Sequence, residues 1–359
     1  MLLSICGIVK NEEKLLPRLL DSIAPLADRG DVQCVIGDTG STDNTLSILS
    51  YRSWVRTRQV EWANDFAAAR NRVHAQADGE WILSVDGDYW FQEGSLVSFI
   101  DRLKSVPENV DGLMVTLVDT SAGYVRCQTR PLAVRSKISF RGRVHEYPAL
   151  EKSVVAIDPL RINHERKESA RDKAAKDRRY EEILWLEHDQ DKSDLHPYSY
   201  LLSALLQRDD VGGIHSLLSV KPVWTSHDFG ILANAYLREN NPTWAKLAAR
   251  TGLFLQSDDP RCLVCFGDSH AATGGMREAL DLYARAMRVT WDGLQARGCF
   301  DYSEDEIVVA PRMAYAALCA DLGDKKNAIK ALREILTKYP HTTQRPIVER
   351  NIRTLGYAI

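Results

Sequence analysis

The chain has 359 residues, of which 45% are hydrophobic and 26% charged, with a formal net charge of -3 at pH 7. These values are ordinary for a globular protein long enough for two domains. They show no large excess of basic residues, which argues against a protein that binds nucleic acid over much of its surface. The longest apolar runs are shorter than the roughly 20 residues that a membrane-spanning helix needs. Seven cysteines without paired spacing predict reduced thiols in a cytoplasmic protein.

The first half of the chain alternates strand-like and helix-like patterns. Residues 1–9 have neither a basic leader nor a small-residue cleavage site, so they predict a first strand rather than a signal peptide. In chain order the patterns predict a strand at 5–9, a helix at 13–22, a strand at 32–37, a helix from Thr45, a helix at 66–77 and a strand at 82–85. This order predicts an α/β domain with a mostly parallel sheet and binding residues on the loops that follow the strands.

The second half follows different rules, because strand signals fade after His164. A charged run from Arg166 to Arg179 predicts a solvated helix that links two domains. Beyond it, small and aromatic residues recur with a period of 34 residues, in units around 232–246 and 266–280. A third unit around 316–340 comes 49 positions later, after an insertion of about 15 residues, and a weaker unit begins near Leu195. This spacing resembles the tetratricopeptide repeat, and generic helical hairpins are the alternative. The predicted domains are 1–165, a linking helix at 166–190, and helical repeats at 191–359.

An acidic motif follows the strand predicted at 82–85. Asp86 and Asp88 are separated only by Gly87, which allows the backbone to turn so that both carboxylates face one point. Such a pair at the carboxyl end of a strand suits a hard divalent cation that holds a phosphorylated ligand. The alternative is an ordinary acidic turn, which the motif alone would favour.

Two further loops carry polar residues of the same kind. The segment from Asp38 to Asp43 offers a carboxylate for a base or ribose and a glycine-bearing turn with backbone N–H groups. The segment from Asn64 to Asn71 opens a helix with Asp65 as a suitable N-cap, and Arg70 is placed to reach a phosphate or sugar. Taken separately, each segment also fits a structural role, as a capped turn or a core helix.

Together these segments resemble family 2 glycosyltransferases of the nucleotide-sugar-dependent GT-A type, and most closely the branch that joins such a domain to tetratricopeptide repeats. The resemblance covers residues 1 to about 165 in ordered blocks. The blocks are IVKNEE at 8–13, the leucine-rich segment at 15–23, DTGSTDNT at 38–45, WANDFAAARN at 62–71, GEWIL at 79–83 and DGD at 86–88. A later pair of blocks, RPL at 130–132 and FRGRVHE at 140–146, also matches this branch.

The resemblance implies an inverting transfer of a sugar from a UDP-sugar donor. The implied donor-binding residues are Ile8, Lys10, Asn11 and Glu12 for the nucleotide, Asp38, Ser41 and Asp43 for the uridine, and Asp65, Arg70 and Asp86 for the ribose or diphosphate. Asp88 is the implied metal and catalytic residue, with Mn²⁺ or Mg²⁺ neutralising the diphosphate as it leaves.

Three residues of this set carry open alternatives. Glu146 is the candidate general base, since inversion by direct displacement needs a carboxylate near the nucleophile, although it also fits a polar strand end. His145 either completes the metal site or orients the diphosphate. His164 is a second candidate metal ligand, or alternatively a helix cap or a salt-bridge partner.

The sequence departs from the family pattern in two places. Family members usually follow the Asp-x-Asp motif with an acidic residue, whereas Tyr89 and Trp90 follow here and are placed to stack on a sugar face. After His164 the family usually has a small and an aromatic residue, whereas this chain has Glu165, Arg166 and Lys167. The second departure puts the metal role of His164 in question.

The acceptor and the activity itself admit several readings. A helical repeat commonly holds peptides, so a peptide or protein acceptor is the first expectation. A lipid-linked or cell-surface glycan is the second, although the sequence has no membrane span, and a modified nucleic-acid base is the third, because residues 161–179 hold eight basic and four acidic residues. A different class of function is a repeat-based binding protein with an inactive transferase domain, for which Tyr89 is the one argument.

Overall fold

The computed structural model describes residues 1–119, 126–164, 169–290, 294, 305–340, 342 and 344–358. They form two compact units, Met1–Glu187 and His188–Ile359. The first unit is α/β with a mostly parallel sheet, and the described part of the second is all-helical, so the predicted fold class is confirmed.

The described residues of the first unit form ten strands and the helices that connect them. The strands are β1 (Leu3–Val9), β2 (Gln33–Asp38), β3 (Val55–Gln59), β4 (Trp81–Asp86), β5 (Tyr89–Phe91), β6 (Val110–Asp119), β7 (Arg126–Arg135), β8 (Phe140–Arg141), β9 (Tyr147–Pro148) and β10 (Ser153–His164). The helices are α1 (Leu16–Ala27), α2 (Thr45–Ser50), α3 (Phe66–His74), α4 (Ser95–Leu103) and α5 (Ala170–Gln190), the last of which continues into the second unit.

Eight of these strands form one sheet with the order β3-β2-β1-β4-β7-β6-β10-β5. The first four strands in this order, β3, β2, β1 and β4, are parallel to one another. Strand β7 is antiparallel to both β4 and β6, and β5 is antiparallel to β10. Parallel strands have their carboxyl ends at the same edge, so the loops after β1, β2 and β4 lie together. The predicted strands β1, β2 and β4 are confirmed.

Helices cover both faces of this sheet, which explains why β1 is buried along its whole length. On one face, leucines of α1 and Phe99 of α4 pack with Leu3, Ile5 and Trp81. On the other face, Val73 of α3 packs with Cys6 and Ile82. The apolar run of β1 therefore alternates between two separate cores rather than between core and solvent.

Two predicted elements differ in extent from the observed ones, and one observed strand was not predicted. The first helix begins at Leu16 rather than at 13, because the backbone N–H groups of Leu15 and Leu16 both donate to the carbonyl of Glu12 in a tight entry turn. Strand β3 is absent from the prediction because its sequence, VRTRQ, has one apolar residue. The predicted linking helix is observed from Ala170 onward, while residues 165–168 lie outside the described residues.

The second unit is built from consecutive helices that pack as pairs. They are α6 (His196–Gln207), α7 (Val211–Val220), α8 (Ser226–Arg238), α9 (Pro242–Leu255), α10 (Pro260–Ala272), α11 (Met276–Ala286), α12 (Ala310–Asp321), α13 (Lys325–Lys338) and α14 (Arg345–Thr354). A π-helical turn at Asp305–Val309 precedes α12, and the rest of the predicted insertion lies almost wholly outside the described residues.

The pairs coincide with the predicted repeat units. The pairs α8–α9, α10–α11 and α12–α13 match the three units, and α6–α7 matches the weaker unit near Leu195. Fully buried small residues such as Ala233, Ala245 and Ala279 allow the paired helices to approach closely. At Gly267 a side chain would lie 2.3 Å from the ring of Tyr283, so this crossing leaves no room for one. The unit is therefore tetratricopeptide-like, as predicted.

Candidate active site

The loop after β2 is organised by the carboxylate at its start. Asp38 is the last residue of β2 and is buried, with an exposed fraction of 3%. Its Oδ2 accepts hydrogen bonds from the backbone N–H groups of Gly40 and Ser41, each at 3.1 Å. Gly40 has a φ of +103°, a conformation that favours glycine. The carboxylate is thus held in place by its own turn, at the edge where a nucleotide is expected.

The loop after β1 is joined to this turn by side-chain hydrogen bonds. The backbone N–H of Asn11 donates to Ser41 Oγ at 2.9 Å, and Asn11 Oδ1 accepts from the backbone N–H of Thr42 at 2.8 Å. The backbone N–H of Glu12 donates to Thr45 Oγ1 at 2.8 Å. Asn11 has a φ of +56°, which asparagine tolerates better than most residues. The two predicted donor-binding loops therefore form one connected surface.

Asp43 extends the same connection and also serves the start of α2. Its Oδ2 accepts from the backbone N–H of Glu13 at 3.2 Å, and its Oδ1 accepts from the backbone N–H of Thr45 at 3.0 Å. Asp43 thus stabilises the start of α2, although Asn44 occupies the N-cap position. Of the other predicted donor residues in these loops, Ile8 is buried and Lys10 is exposed.

A buried arginine links the helix after β3 to the acidic motif. Asp65 caps α3 by accepting from the backbone N–H of Ala68 at 2.7 Å, as predicted. One turn later, Arg70 donates from Nε to Glu146 Oε1 at 2.6 Å and from Nη2 to Asp86 Oδ1 at 2.7 Å. Burial lowers the pKa of Arg70, but its ion pairs with Asp86 and Glu146 outweigh that effect and raise the pKa. Arg70 therefore stays charged and orients both carboxylates.

The second carboxylate of the acidic motif has a different partner. Asp88 is buried, and its Oδ2 lies 3.1 Å from His164 Nε2. The contact arises because β5, directly after Asp88, pairs with β10 in a register that sets His164 opposite Tyr89. Asp86 and Asp88 thus face separate partners, Arg70 and His164, in the described structure.

The position between the two aspartates has no room for a side chain, which requires a glycine there. Gly87 lies in the turn between β4 and β5, as predicted, and does so without a positive φ. A Cβ on this residue would lie 2.8 Å from Glu12 Cγ and 3.2 Å from Glu12 Cβ. Gly87 therefore lets the predicted nucleotide residue Glu12 pack against the acidic motif, which joins the loops after β1 and β4.

The structure does not gather all three predicted metal ligands into one recognisable group. Asp88 and His164 are adjacent, whereas the ring of His145 packs edge-on to Tyr180 with centroids 5.8 Å apart. Among the described residues, no group of three or more His, Cys, Asp and Glu side chains is arranged to hold a metal ion. A cation at Asp88 and His164 would therefore take its remaining ligands from a bound diphosphate or from water.

The family relation of this part of the chain follows from its sequence. Residues 4–153 match the model of the Glycosyl transferase family 2. They form a family 2 glycosyltransferase domain. The loops after β1, β2 and β4, with Asp38, Asp86 and Asp88, all lie inside the matched range.

Curated relatives match over part of their length. A TPR repeat-containing protein of Synechococcus elongatus is 34% identical over 164 residues, which are 45% of this chain and 38% of that protein. The SPbeta prophage-derived glycosyltransferase SunS of Bacillus subtilis is 30% identical over 148 residues, which are 40% of this chain and 34% of SunS. The chain thus spans little more than a third of the length of the curated relatives it matches.

Two solved structures are similar at low TM-scores. Staphylococcus aureus TarS 1-349 in complex with UDP-GlcNAc has 16% identity and a TM-score of 0.38, covering 96% of this chain and 93% of that chain. A thermophilic TPR protein of Thermus thermophilus, TTC0263, has 14% identity and a TM-score of 0.38, covering 50% of this chain and 93% of that chain.

The first unit contains two residues near the site that sequence reasoning missed. Tyr180 of α5 packs its ring against Phe66, with centroids 5.6 Å apart, and also against His145. Burial raises the pKa of Tyr180, Arg179 lowers it, and the charges of Glu146 and Asp86 raise it further. The one available signal was an aromatic residue within a charged helix that otherwise predicts a solvated face.

The second missed residue is Arg18 of α1. Its guanidinium lies 3.3 Å from the ring centroid of Trp90, in a cation–π contact that covers one face of the indole. Tyr89 is buried and packs edge-on to His164, with ring centroids 5.6 Å apart. The aromatic pair after Asp88 is therefore engaged with protein groups, which leaves less of it to stack on a sugar than the sequence predicted.

The last turn of α3 carries a buried histidine that predicts a pH dependence of stability. His74 Nε2 lies 3.3 Å from Ser84 Oγ, and burial together with the charge of Arg70 lowers the pKa of His74 to about 3. In the unfolded chain the pKa is about 6.5, so between these values the unfolded state binds a proton that the folded state does not. The free energy of unfolding therefore has its full value above pH 6.5 and decreases as the pH falls. The decrease due to His74 is about 2 kcal/mol between pH 7 and pH 5.

We expect the variant His74→Gln to lose this dependence. Urea unfolding at pH 7 and pH 5 should show a smaller fall in unfolding free energy for His74→Gln than for the wild type. The control is His215→Gln, which changes an exposed histidine of α7 and should leave the pH dependence unchanged. Equal falls in His74→Gln and in the wild type would contradict the prediction.

Proposed function

We propose that the chain is a glycosyltransferase that moves a sugar from a UDP-sugar donor, with inversion, to a peptide or protein acceptor. The observation that carries this proposal is the family 2 domain at residues 4–153, because the loops within it bring Asp38, Asp86 and Asp88 to one edge of a parallel sheet. Ligands of open α/β sheets bind in the crevice outside the carboxyl ends of the strands, at this kind of edge.

The nucleotide would lie on the connected loops after β1 and β2. Asp38 is oriented by its own turn, and the hydrogen bonds of Asn11 with Ser41 and Thr42 hold the two loops together. A surface that is already connected loses little conformational freedom when it binds a ligand, which favours affinity. Asp86, held by Arg70 and still partly exposed, is positioned to accept from a ribose hydroxyl.

The residues at the acidic motif fit a divalent cation. Asp88 supplies a carboxylate oxygen and His164 an imidazole nitrogen, 3.1 Å apart, and both atom types are ligands that Mn²⁺ accepts. A bound Mn²⁺ or Mg²⁺ would neutralise the charge of the departing diphosphate. His145 would then contact the diphosphate rather than the cation, which is the second of its two predicted roles.

Glu146 remains the proposed general base, with a constraint that the sequence did not reveal. Its Oε1 accepts from Arg70 at 2.6 Å, which leaves Oε2 to take the proton of the acceptor nucleophile. The ion pair also fixes the direction of the carboxylate, because the guanidinium of Arg70 is anchored on its other side by Asp86. A base held in this way would meet the acceptor in one orientation.

The acceptor is assigned to the peptide class on the strength of the second unit. Its consecutive helix pairs form a tetratricopeptide-like stack, and such stacks present extended surfaces that commonly bind peptides. None of the helices in the described ranges is both long and apolar enough to cross a membrane.

A donor screen tests the proposal. UDP-glucose, UDP-GlcNAc, UDP-galactose and GDP-mannose would each be added with and without Mn²⁺, and thermal unfolding and nucleotide release would be measured. We expect one UDP-sugar to raise the melting temperature in the presence of Mn²⁺ and to release UDP slowly, because a ligand of the folded state stabilises it. A folded protein that neither shifts nor releases nucleotide with any donor would overturn the proposal and favour an inactive transferase domain.

A further inference from the structure

The segment from α13 to α14 carries a positive charge that the chain as a whole does not have. Residues 325–358 contain eight lysines and arginines and two glutamates, whereas the formal net charge of the whole chain is -3. Five of these cations lie on α13. A strong local charge of this kind attracts ligands of opposite sign over the distance of the screening length.

Part of this charge lines a groove of about 450 Å³ between α13 and the segment after α14. Lys326, Lys330 and Arg333 follow one another at spacings of four and three, which places them on one face of α13. The other lining residues are Ile329, Glu334, Thr337, Lys338 and Tyr357. Arg333 Nη2 donates to the carbonyl of Ala358 at 2.8 Å, and this bond holds Tyr357 beside the groove.

Glu334, the acidic residue of the lining, is not paired with Lys326 or Lys330. Glu334 Oε2 accepts from Arg312 Nε at 3.2 Å and lies 3.8 Å from Lys338 Nζ, so its charge is shared with these two cations. Within the described part of the chain, Lys326 and Lys330 have no carboxylate at salt-bridge distance. Both are exposed, so their charge is available to a ligand.

We propose that this groove binds a short acidic peptide segment, in which aspartates or glutamates flank an apolar side chain. The cations of α13 would meet the carboxylates, while the ring of Tyr357, which is 44% exposed, would meet the apolar group. The mixture of charged and apolar lining favours a peptide over a phosphate polymer, which presents charge without an apolar side chain. This binding is independent of the proposed sugar transfer.

The test is fluorescence anisotropy with the full chain and a labelled peptide in which aspartates and glutamates surround a central phenylalanine. We expect saturable binding that weakens with added salt, and that weakens at least about tenfold in the double variant Lys326→Glu/Lys330→Glu. The matched control is Lys325→Glu, on the same helix and exposed but outside the lining, which should change the affinity less than about twofold. All changed residues are exposed, so the melting temperature should stay the same.

Three outcomes would overturn the proposal. The first is no binding of the acidic peptide, or equal binding of a peptide with asparagine and glutamine at the acidic positions. The second is an equal loss of binding in Lys325→Glu and in the double variant, which would mean attraction by diffuse charge. The third is that an oligothymidylate or a vesicle containing phosphatidylserine binds tighter than the peptide and competes with it, which would assign the groove to a phosphate ligand.

Discussion

The variant Asp88→Asn is expected to lose at least about 100-fold of the Mn²⁺-dependent turnover of the UDP-sugar found in the donor screen. Asparagine has nearly the same shape as aspartate, so it can remain beside His164 without opening a cavity. Its amide is neutral and is a weaker metal ligand than a carboxylate. The cation would therefore be lost together with the charge that it supplies against the diphosphate.

Two measurements separate a loss of metal from a loss of fold. Calorimetric titration with UDP should show that Mn²⁺ no longer strengthens binding in Asp88→Asn, while thermal unfolding without ligand stays close to the wild type. His164→Ala should change in the same direction as Asp88→Asn. The control is Asp101→Asn, an exposed aspartate of α4 that pairs with Lys104 and should behave as wild type. Unchanged metal dependence in Asp88→Asn would remove Asp88 from the metal site.

Replacing Arg70 with alanine is expected to lower the free energy of unfolding by about 3 kcal/mol. Arg70 is buried between Asp86 and Glu146, and its removal leaves Glu146, with a side chain 14% exposed, without the cation that compensates its charge. Asp86 is 44% exposed and can be solvated, so its share of the loss is small. Sugar transfer should be lost as well, because neither carboxylate would keep its orientation.

The control for this variant is two positions further along the same helix. Arg72→Ala removes an exposed arginine that donates from Nη1 to the carbonyl of Glu61 at 3.2 Å, and it should change the unfolding free energy by less than about 0.5 kcal/mol. The double variant Arg70→Met/Glu146→Gln should recover part of the loss, because it removes the charge and its counterion together. An Arg70→Ala variant with the urea midpoint of the wild type would contradict the buried ion pair.

Local patterns in the sequence were sufficient for several elements around the site. The cap at Asp65 was predicted because an aspartate before an apolar segment satisfies the first free N–H groups of a helix, and the structure contains that bond. Strand β4 was predicted from its continuous apolar run, which both cores of the domain bury. Strand β3 was not predicted, since an edge strand with one apolar residue has no such pattern.

Long-range pairings were beyond the reach of these patterns. Arg70 and Glu146 are 76 positions apart, and Asp88 and His164 are also 76 positions apart. The second contact depends on the antiparallel register of β5 with β10, and a shift by one residue would turn His164 to the other face. Sequence spacing contains no information about that register. The turn at Gly87 was predicted, but its second role was not, because the close approach of Glu12 is a tertiary contact.

The sequence by itself determined the α/β domain followed by tetratricopeptide-like helices, and it identified the loops after β1, β2 and β4 as the polar ones. These features depend on hydrophobic period and turn chemistry, which act over a few residues. Only the tertiary structure decided which group each carboxylate contacts: Asp86 and Glu146 share Arg70, and Asp88 meets His164. The physical reason is that ion pairs form between side chains that the packing of α3 and the register of β10 bring together, whatever their distance along the chain.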